Sequence, residues 1–291
     1  MSAAIALVDR GTLEVIDVAL QTIGGLGCVA FVVHLFRSGR YRNPLAGLGP
    51  PTGGPGVLEL LLVLLIGFSL TNLLVRAAGL QPAAAWPTGS HAWHVAATLA
   101  SAVQLLLAGL MVAFLRRRPS FPPMQSSASL RLKQAGAGVL VTLLALPIAA
   151  LQVKLCAFIW RAVWPDAAPP VHDVLQAIEG SGWGVWGRVQ LTLSAVVAAA
   201  LYEELLFRGL LLQLLWRHLR NPWLAILLSA VVFGLIHRQP QNVLPLATLG
   251  IFLGYARLRY RSLWVCIMAH AVFNARTMAL ALLNPELIRA M

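Results

Sequence analysis

The chain has 291 residues, of which 59% are hydrophobic and only 11% charged. Soluble domains carry about 25% charged residues, and apolar runs of about 20 residues recur along this sequence, so a soluble globular fold is excluded in favour of an all-α, polytopic transmembrane helical bundle. The net charge of +12 comes from Lys and Arg in short loops beside apolar runs, which is the pattern of membrane topology and lipid headgroups rather than of nucleic-acid binding. The first span is predicted from about Leu13 to Phe36, closed by Arg37, Arg40 and Arg42; Glu14 and Asp17 at its start are not the pattern of a cleavable leader. A Gly/Pro-rich connector leads to the second span, about Val57 to Ala78, and a loop through Pro82 and Pro87 to the third, about Ala92 to Leu115. Arg116, Arg117 and Arg118 stop that span, and the fourth covers roughly Gln134 to Trp160.

The next stretch changes character. Asp166, Pro169, Pro170 and several glycines predict an interfacial loop with one short amphipathic helix, His172 to Ile178. Four spans then follow, at about Arg188–Trp216, Pro222–His237, Val243–Ala256 and Leu263–Leu283, with Asn221-Pro222 as a helix start. The seventh is short enough to be tilted or partly re-entrant. The organisation expected is therefore an N-terminal four-span region (1–160), an interfacial segment (161–187) and a C-terminal four-span core (188–291). Loops after the first, third, fifth and seventh spans hold most of the basic residues, which predicts both termini outside the cytoplasm. The three cysteines, Cys28, Cys156 and Cys266, fall within spans without metal-ligand spacing.

Three charges sit inside the fifth span: Glu203, Glu204 and Arg208. Each costs about 2.5–3.5 kcal/mol at the centre of a membrane helix unless paired or facing a cavity. Glu204 and Arg208 are i and i+4 and share a face, whereas Glu203 lies about 100° away and is left over. Two later spans add Phe233 with His237, and His270 with Asn274, each pair again i, i+4. At 1.5 Å per residue, Glu203 lies about 20 Å from Trp216, His237 about 22 Å from Pro222, and His270 and Asn274 roughly 13 and 20 Å from Arg261. Residues on three helices thus reach similar depth, as a shared buried site requires.

Such a set suits hydrolysis. A Glu beside a His activates water, and a neutral His or an Asn amide can donate to a developing oxyanion. Glu203, His237 and His270 are also a set able to hold Zn2+ with an open fourth position, although H-E-x-x-H is absent. Taken singly, each of these residues is equally well read as helix packing: a hydrogen-bonded His, a structural Glu204–Arg208 ion pair, an Asn as interhelical glue.

In their order and spacing, Glu203-Glu204-Leu-Leu-Phe-Arg208, Phe233-Gly-Leu-Ile-His237 and His270-Ala-Val-Phe-Asn274 resemble the CPBP family of intramembrane proteases. That family includes Rce1-type CAAX prenyl endopeptidases and bacterial relatives linked to bacteriocin processing and self-immunity. The resemblance covers roughly Val189 to Leu283 and all three motifs match. It implies an integral membrane endopeptidase of the bacterial cell membrane that cuts peptide or lipidated-protein substrates. It further implies that Glu203 activates water with His237 positioning it, and that His270 and Asn274 stabilise the oxyanion. Glu204 and Arg208 would hold the motif helix, and Phe233 would line the cavity wall. The family's metalloprotease label leaves zinc open. The rival reading is a non-catalytic scaffold, immunity factor or small transporter that uses the same polar cluster for structure or proton transfer; convergence of the four polar residues on one cavity separates the two.

Overall fold

The structure is a computed structural model that describes residues 10–39, 44–45, 47–51, 53–80, 87–117, 127–167, 173–179 and 184–283. Arg40, Arg42, Pro82, Arg118, Pro169, Pro170 and His172, used above, lie outside these residues. The described residues are helical without a strand. In chain order the helices are α1 (Arg10–Arg37), α2 (Val57–Ala77), α3 (His91–Leu115), α4 (Ala128–Val163), the short α5 (Asp173–Glu179), α6 (184–219), α7 (Pro222–Leu235), α8 (Pro240–Tyr260) and α9 (Leu263–Leu283).

Each of the eight expected spans is a helix in its expected place, and the chain is an integral membrane protein. Five helices, α1 to α4 and α9, are individually long and apolar enough to cross a membrane. The outer faces of α1 to α4 are bare: Leu26, Leu58, Phe68, Leu110 and Phe158 are 67%, 67%, 73%, 58% and 70% exposed. An apolar belt of this extent faces lipid rather than water. The seventh span is longer than its apolar run suggests. α8 has 21 residues and begins at Pro240, so the polar Gln241 and Asn242 belong to the helix and not to a preceding loop.

Local chemistry sets the helix ends. Ser90 and Ser127 side chains accept from Trp93 N and Leu130 N, each at 3.3 Å, to cap α3 and α4. Asn221 Oδ1 accepts from Trp223 N at 3.0 Å and Leu224 N at 3.1 Å, with Pro222 in the first turn of α7. The turns after α6, α7 and α8 each contain an arginine in the left-handed conformation, Arg220, Arg238 and Arg261, at φ 54°, 58° and 51°.

Packing follows small residues, as membrane helix interfaces do. A Cβ on Gly138 of α4 would lie 2.8 Å from Met268 Cβ and 2.9 Å from the Val265 carbonyl oxygen, so only glycine lets α4 approach α9 here. One turn on, Thr142 Oγ1 donates to the Ala269 carbonyl at 2.6 Å. α1 seats against the same helix at Pro147, which has no N–H to give the Leu143 carbonyl. Gly24 approaches that carbonyl closely, and Cys28 Sγ donates to Leu144 O at 3.1 Å. These contacts fix α9, whose inner face carries two of the motif residues.

Candidate active site

α6 is a composite. Two π segments, Ser194–Ala199 and Leu205–Leu211, flank the five-residue α segment Ala200–Glu204 that carries both glutamates. π turns inside helices gather at functional sites because they re-aim side chains at the cost of weaker packing. Glu203 and Glu204, consecutive in that α segment, project about 100° apart into different surroundings.

Glu204 is fully buried. Its Oε1 accepts from Arg208 Nη1 at 2.8 Å and from His270 Nδ1 at 2.9 Å. Arg208, also buried, extends Nη2 to the Gly250 carbonyl on α8 at 3.3 Å and lies over the Phe233 ring, 4.6 Å from its centroid. The expected Glu204–Arg208 pair is therefore present, and it does more than balance charge: it joins α6, α8 and α9.

Glu203 points elsewhere. Its Oε2 is buried and has no hydrogen-bond partner among the described residues. His237 Nε2 and His270 Nε2 lie 4.0 Å and 3.9 Å from it. Both rings are held from behind. His237 Nδ1 is 2.8 Å from the Phe233 carbonyl, which can only accept, and His270 Nδ1 is 2.9 Å from the Glu204 carboxylate. Each Nδ1 therefore carries a proton, and Nε2 facing Glu203 presents a lone pair where the ring is neutral and a second N–H where it is an imidazolium. This differs from a neutral His270 that donates to an oxyanion.

His237 is not in a helix. α7 ends at Leu235 and His237 stands in the following turn, because Pro240 forces Gln239 into an extended conformation and starts the next helix. Phe233 does not line the cavity, contrary to expectation. It is fully buried beneath the site, edge-on to His237, His270 and Phe207 with centroids 5.0, 5.6 and 5.2 Å away. It acts as a floor that fixes both imidazoles. Asn274 Nδ2 donates to the Ala195 carbonyl in the first π segment at 2.8 Å, using one of its two N–H groups.

Glu203, His237, His270 and Asn274 line one cavity of about 490 Å³, bounded by α3, α4, α5, α6, α8 and α9. Its remaining wall is mostly apolar, with Leu146, Ala149, Leu246 and Phe273 among the contributors. The donors around Glu203 Oε2 do not form a metal cage. Tetrahedral zinc ligands about 2.1 Å from the ion stand about 3.4 Å apart, against 3.9 and 4.0 Å here, and no group of three His, Cys, Asp or Glu among the described residues is arranged to hold a metal ion.

Sequence reasoning missed one pair. Arg276, also in the cavity wall, binds Asp17 of α1, with Nε donating to Oδ1 at 2.6 Å. Each charge inside an apolar span calls for a partner, but neither sequence position names the other.

The comparisons fall on this same region. Residues 185–276 match the family model described as "Type II CAAX prenyl endopeptidase Rce1-like". A Bacillus subtilis (strain 168) protein described as "Putative membrane peptidase YdiL" is 28% identical over 104 residues, covering 36% of this chain and 38% of the relative. An Escherichia coli protein described as "Uncharacterized 24.3 kDa protein" is 37% identical over 87 residues, covering 28% of this chain and 40% of the relative. The chain thus spans about two fifths of these curated relatives. No solved structure matches it. Glu203, Glu204, Arg208, Phe233, His237, His270 and Asn274 all lie within the segment 185–276 over which this chain is similar to the Rce1-like CAAX prenyl endopeptidases.

Proposed function

We propose that this chain is an integral membrane endopeptidase that hydrolyses peptide bonds of membrane-associated peptides or lipidated proteins, with residues 188–291 as the proteolytic core and Glu203 as general base. The observation that carries the reading is Glu203 Oε2: a buried carboxylate oxygen without a partner among the described residues, facing two imidazole nitrogens about 4 Å away in the wall of a cavity. Two acceptors roughly 4 Å apart are spanned by one water that donates to each at about 2.7 Å. Such a water is aligned by His237 Nε2 and loses its proton to Glu203 as its oxygen bonds to the scissile carbonyl carbon. The carbonyl π pair moves onto oxygen, and the free N–H of Asn274 stabilises the charge. His270 donates there from Nε2 only as an imidazolium, with Glu204 as counter-charge through Nδ1. The C–N bond then breaks, and the departing amine takes the proton from Glu203, restoring the carboxylate.

The basic residues concentrated in alternate loops support both termini lying outside the cytoplasm of a bacterial cell. The test of the main reading is a comparison of protein termini in cells that carry the parent or Glu203→Gln protein. New termini that depend on the parent name the substrates. Identical termini in the two strains, with both proteins present in the membrane, would count against proteolysis and favour a scaffold or transporter.

A further inference from the structure

Gln239 and Asn242 line the cavity with His237, and the mechanism above uses neither. Gln239 is two residues beyond His237, a reach of at most about 7 Å along the chain. Between them Arg238 stands in the left-handed conformation at φ 58°, which is disfavoured for any residue with a Cβ. Gln239 itself is extended, at φ −124° and ψ 99°, and only 9% exposed. It occupies the N-cap position of α8, yet its side chain caps nothing. Instead its Oε1 accepts from Asn242 Nδ2 at 2.8 Å.

That bond leaves a defined remainder. Gln239 Nε2 keeps both its N–H groups and Asn242 Oδ1 both its lone pairs, without a partner among the described residues. Turning both amides over exchanges the bonded atoms and leaves the same remainder, one donor and one acceptor. A buried amide with unused donors is costly unless something else meets it. Support of the helix start does not call for one, because Ser, Thr, Asp or Asn would bond the first turn directly.

A substrate brings the complementary need. Its N–H and C=O groups lose water on entering a mostly apolar cavity, and in extended chain they have no helical partners of their own. One extended residue turns its N–H and C=O to the same side. Resting on the proteolytic reading of this cavity, we infer that Gln239 and Asn242 form a main-chain clamp, in which Gln239 Nε2 donates to the C=O and Asn242 Oδ1 accepts from the N–H of one extended substrate residue. At about 3.3 Å per residue, the clamped residue lies about two positions from the bond presented to Glu203. The clamp touches no substrate side chain, so it sets the register of the chain without choosing its sequence.

The test begins with binding. Glu203→Gln protein in proteoliposomes selects the tightest binder from an apolar decapeptide library with amidated ends. That peptide is resynthesised as a series in which each peptide group in turn becomes an ester, with oxygen in place of one N–H. One ester is expected to weaken binding about ten-fold. Adding Asn242→Leu removes the acceptor, and adding Gln239→Leu removes the group that orients it; either should reduce that penalty to less than about two-fold. Either variant decides alone if the other does not fold. Equal loss across the whole series with the penalty unchanged is what a pair that only supports the turn gives, and it overturns the inference. So does the absence of any binding, or of any sensitive ester. Cleavage by the parent separates the two readings. A sensitive ester that Asn242→Leu abolishes, without any cleavage by the parent, means proteolysis fails and the clamp stands as a peptide-binding site. With cleavage, the same ester should raise KM and lie about two residues from the cut; a cut at a distant position overturns the clamp.

Discussion

Glu204 and His270 are joined at 2.9 Å through Oε1, the same oxygen that holds Arg208 at 2.8 Å. One buried carboxylate oxygen therefore orients the His270 imidazole and neutralises a buried guanidinium. Substituting Glu204 by Gln is expected to damage both. Breaking a buried pair by removing one partner costs about 3–5 kcal/mol, so the melting temperature in detergent should fall together with cleavage, and a fall in only one of them would contradict the shared role.

Glu203→Gln should behave in the opposite way. Oε2 has no partner among the described residues, so the substitution breaks no hydrogen bond within the protein. Cleavage is expected to drop by about 10²–10⁴-fold, the usual range for general acid–base catalysis, with melting temperature unchanged or raised. An active Glu203→Gln enzyme refutes the mechanism.

For Asn274→Ala, kcat should fall by about 10²–10³-fold, the usual loss for one oxyanion donor, with KM little altered. The variant also loses the bond to Ala195 O, so Asn274→Asp is the informative companion: it offers no N–H to either carbonyl, and kcat should remain low.

The α4–α9 contact admits no side chain at Gly138. Gly138→Val should destabilise by about 1–3 kcal/mol through overpacking, read as a lower melting temperature. Because the strain bears on α9 at Met268 and Ala269, beside His270, activity should fall at temperatures where the protein is still folded.

Arg261 ends α8 in the left-handed conformation, which for a residue with a Cβ costs roughly 1–2 kcal/mol. Arg261→Gly is expected to be neutral or stabilising by up to about 1 kcal/mol, whereas Arg261→Val should destabilise by more than that. Equal melting curves for the two variants would mean that the turn relaxes.

The helices were legible because apolar runs and their Arg and Pro punctuation are local signals: α2 and α9 begin and end within a residue of the positions the sequence suggests. The convergence of Glu203, His237, His270 and Asn274 was legible through depth, since 1.5 Å per residue converts sequence position into height. Three things were not. The start of α8 looked like a loop because Gln241 and Asn242 are polar, yet they face the cavity, where polarity is tolerated. The role of Phe233 depends on which way a ring points, and spacing alone cannot give that. The Asp17–Arg276 pair joins residues 259 positions apart, and nothing local in either span names the other.

The two π segments have a consequence of phase. Each adds one residue to a turn, a slip of about 100°, so α6 behaves as three short helices spliced end to end. A face followed from Gln190 through Leu193 does not continue through Glu203, and neither continues through Gln213. A substitution scan along residues 184–219 should therefore show three separate periodic patterns with breaks near 194–199 and 205–211. A single-residue deletion inside either break would act like a turn of a key, leaving the chemistry of every side chain intact while rotating one stretch of helix away from its neighbours.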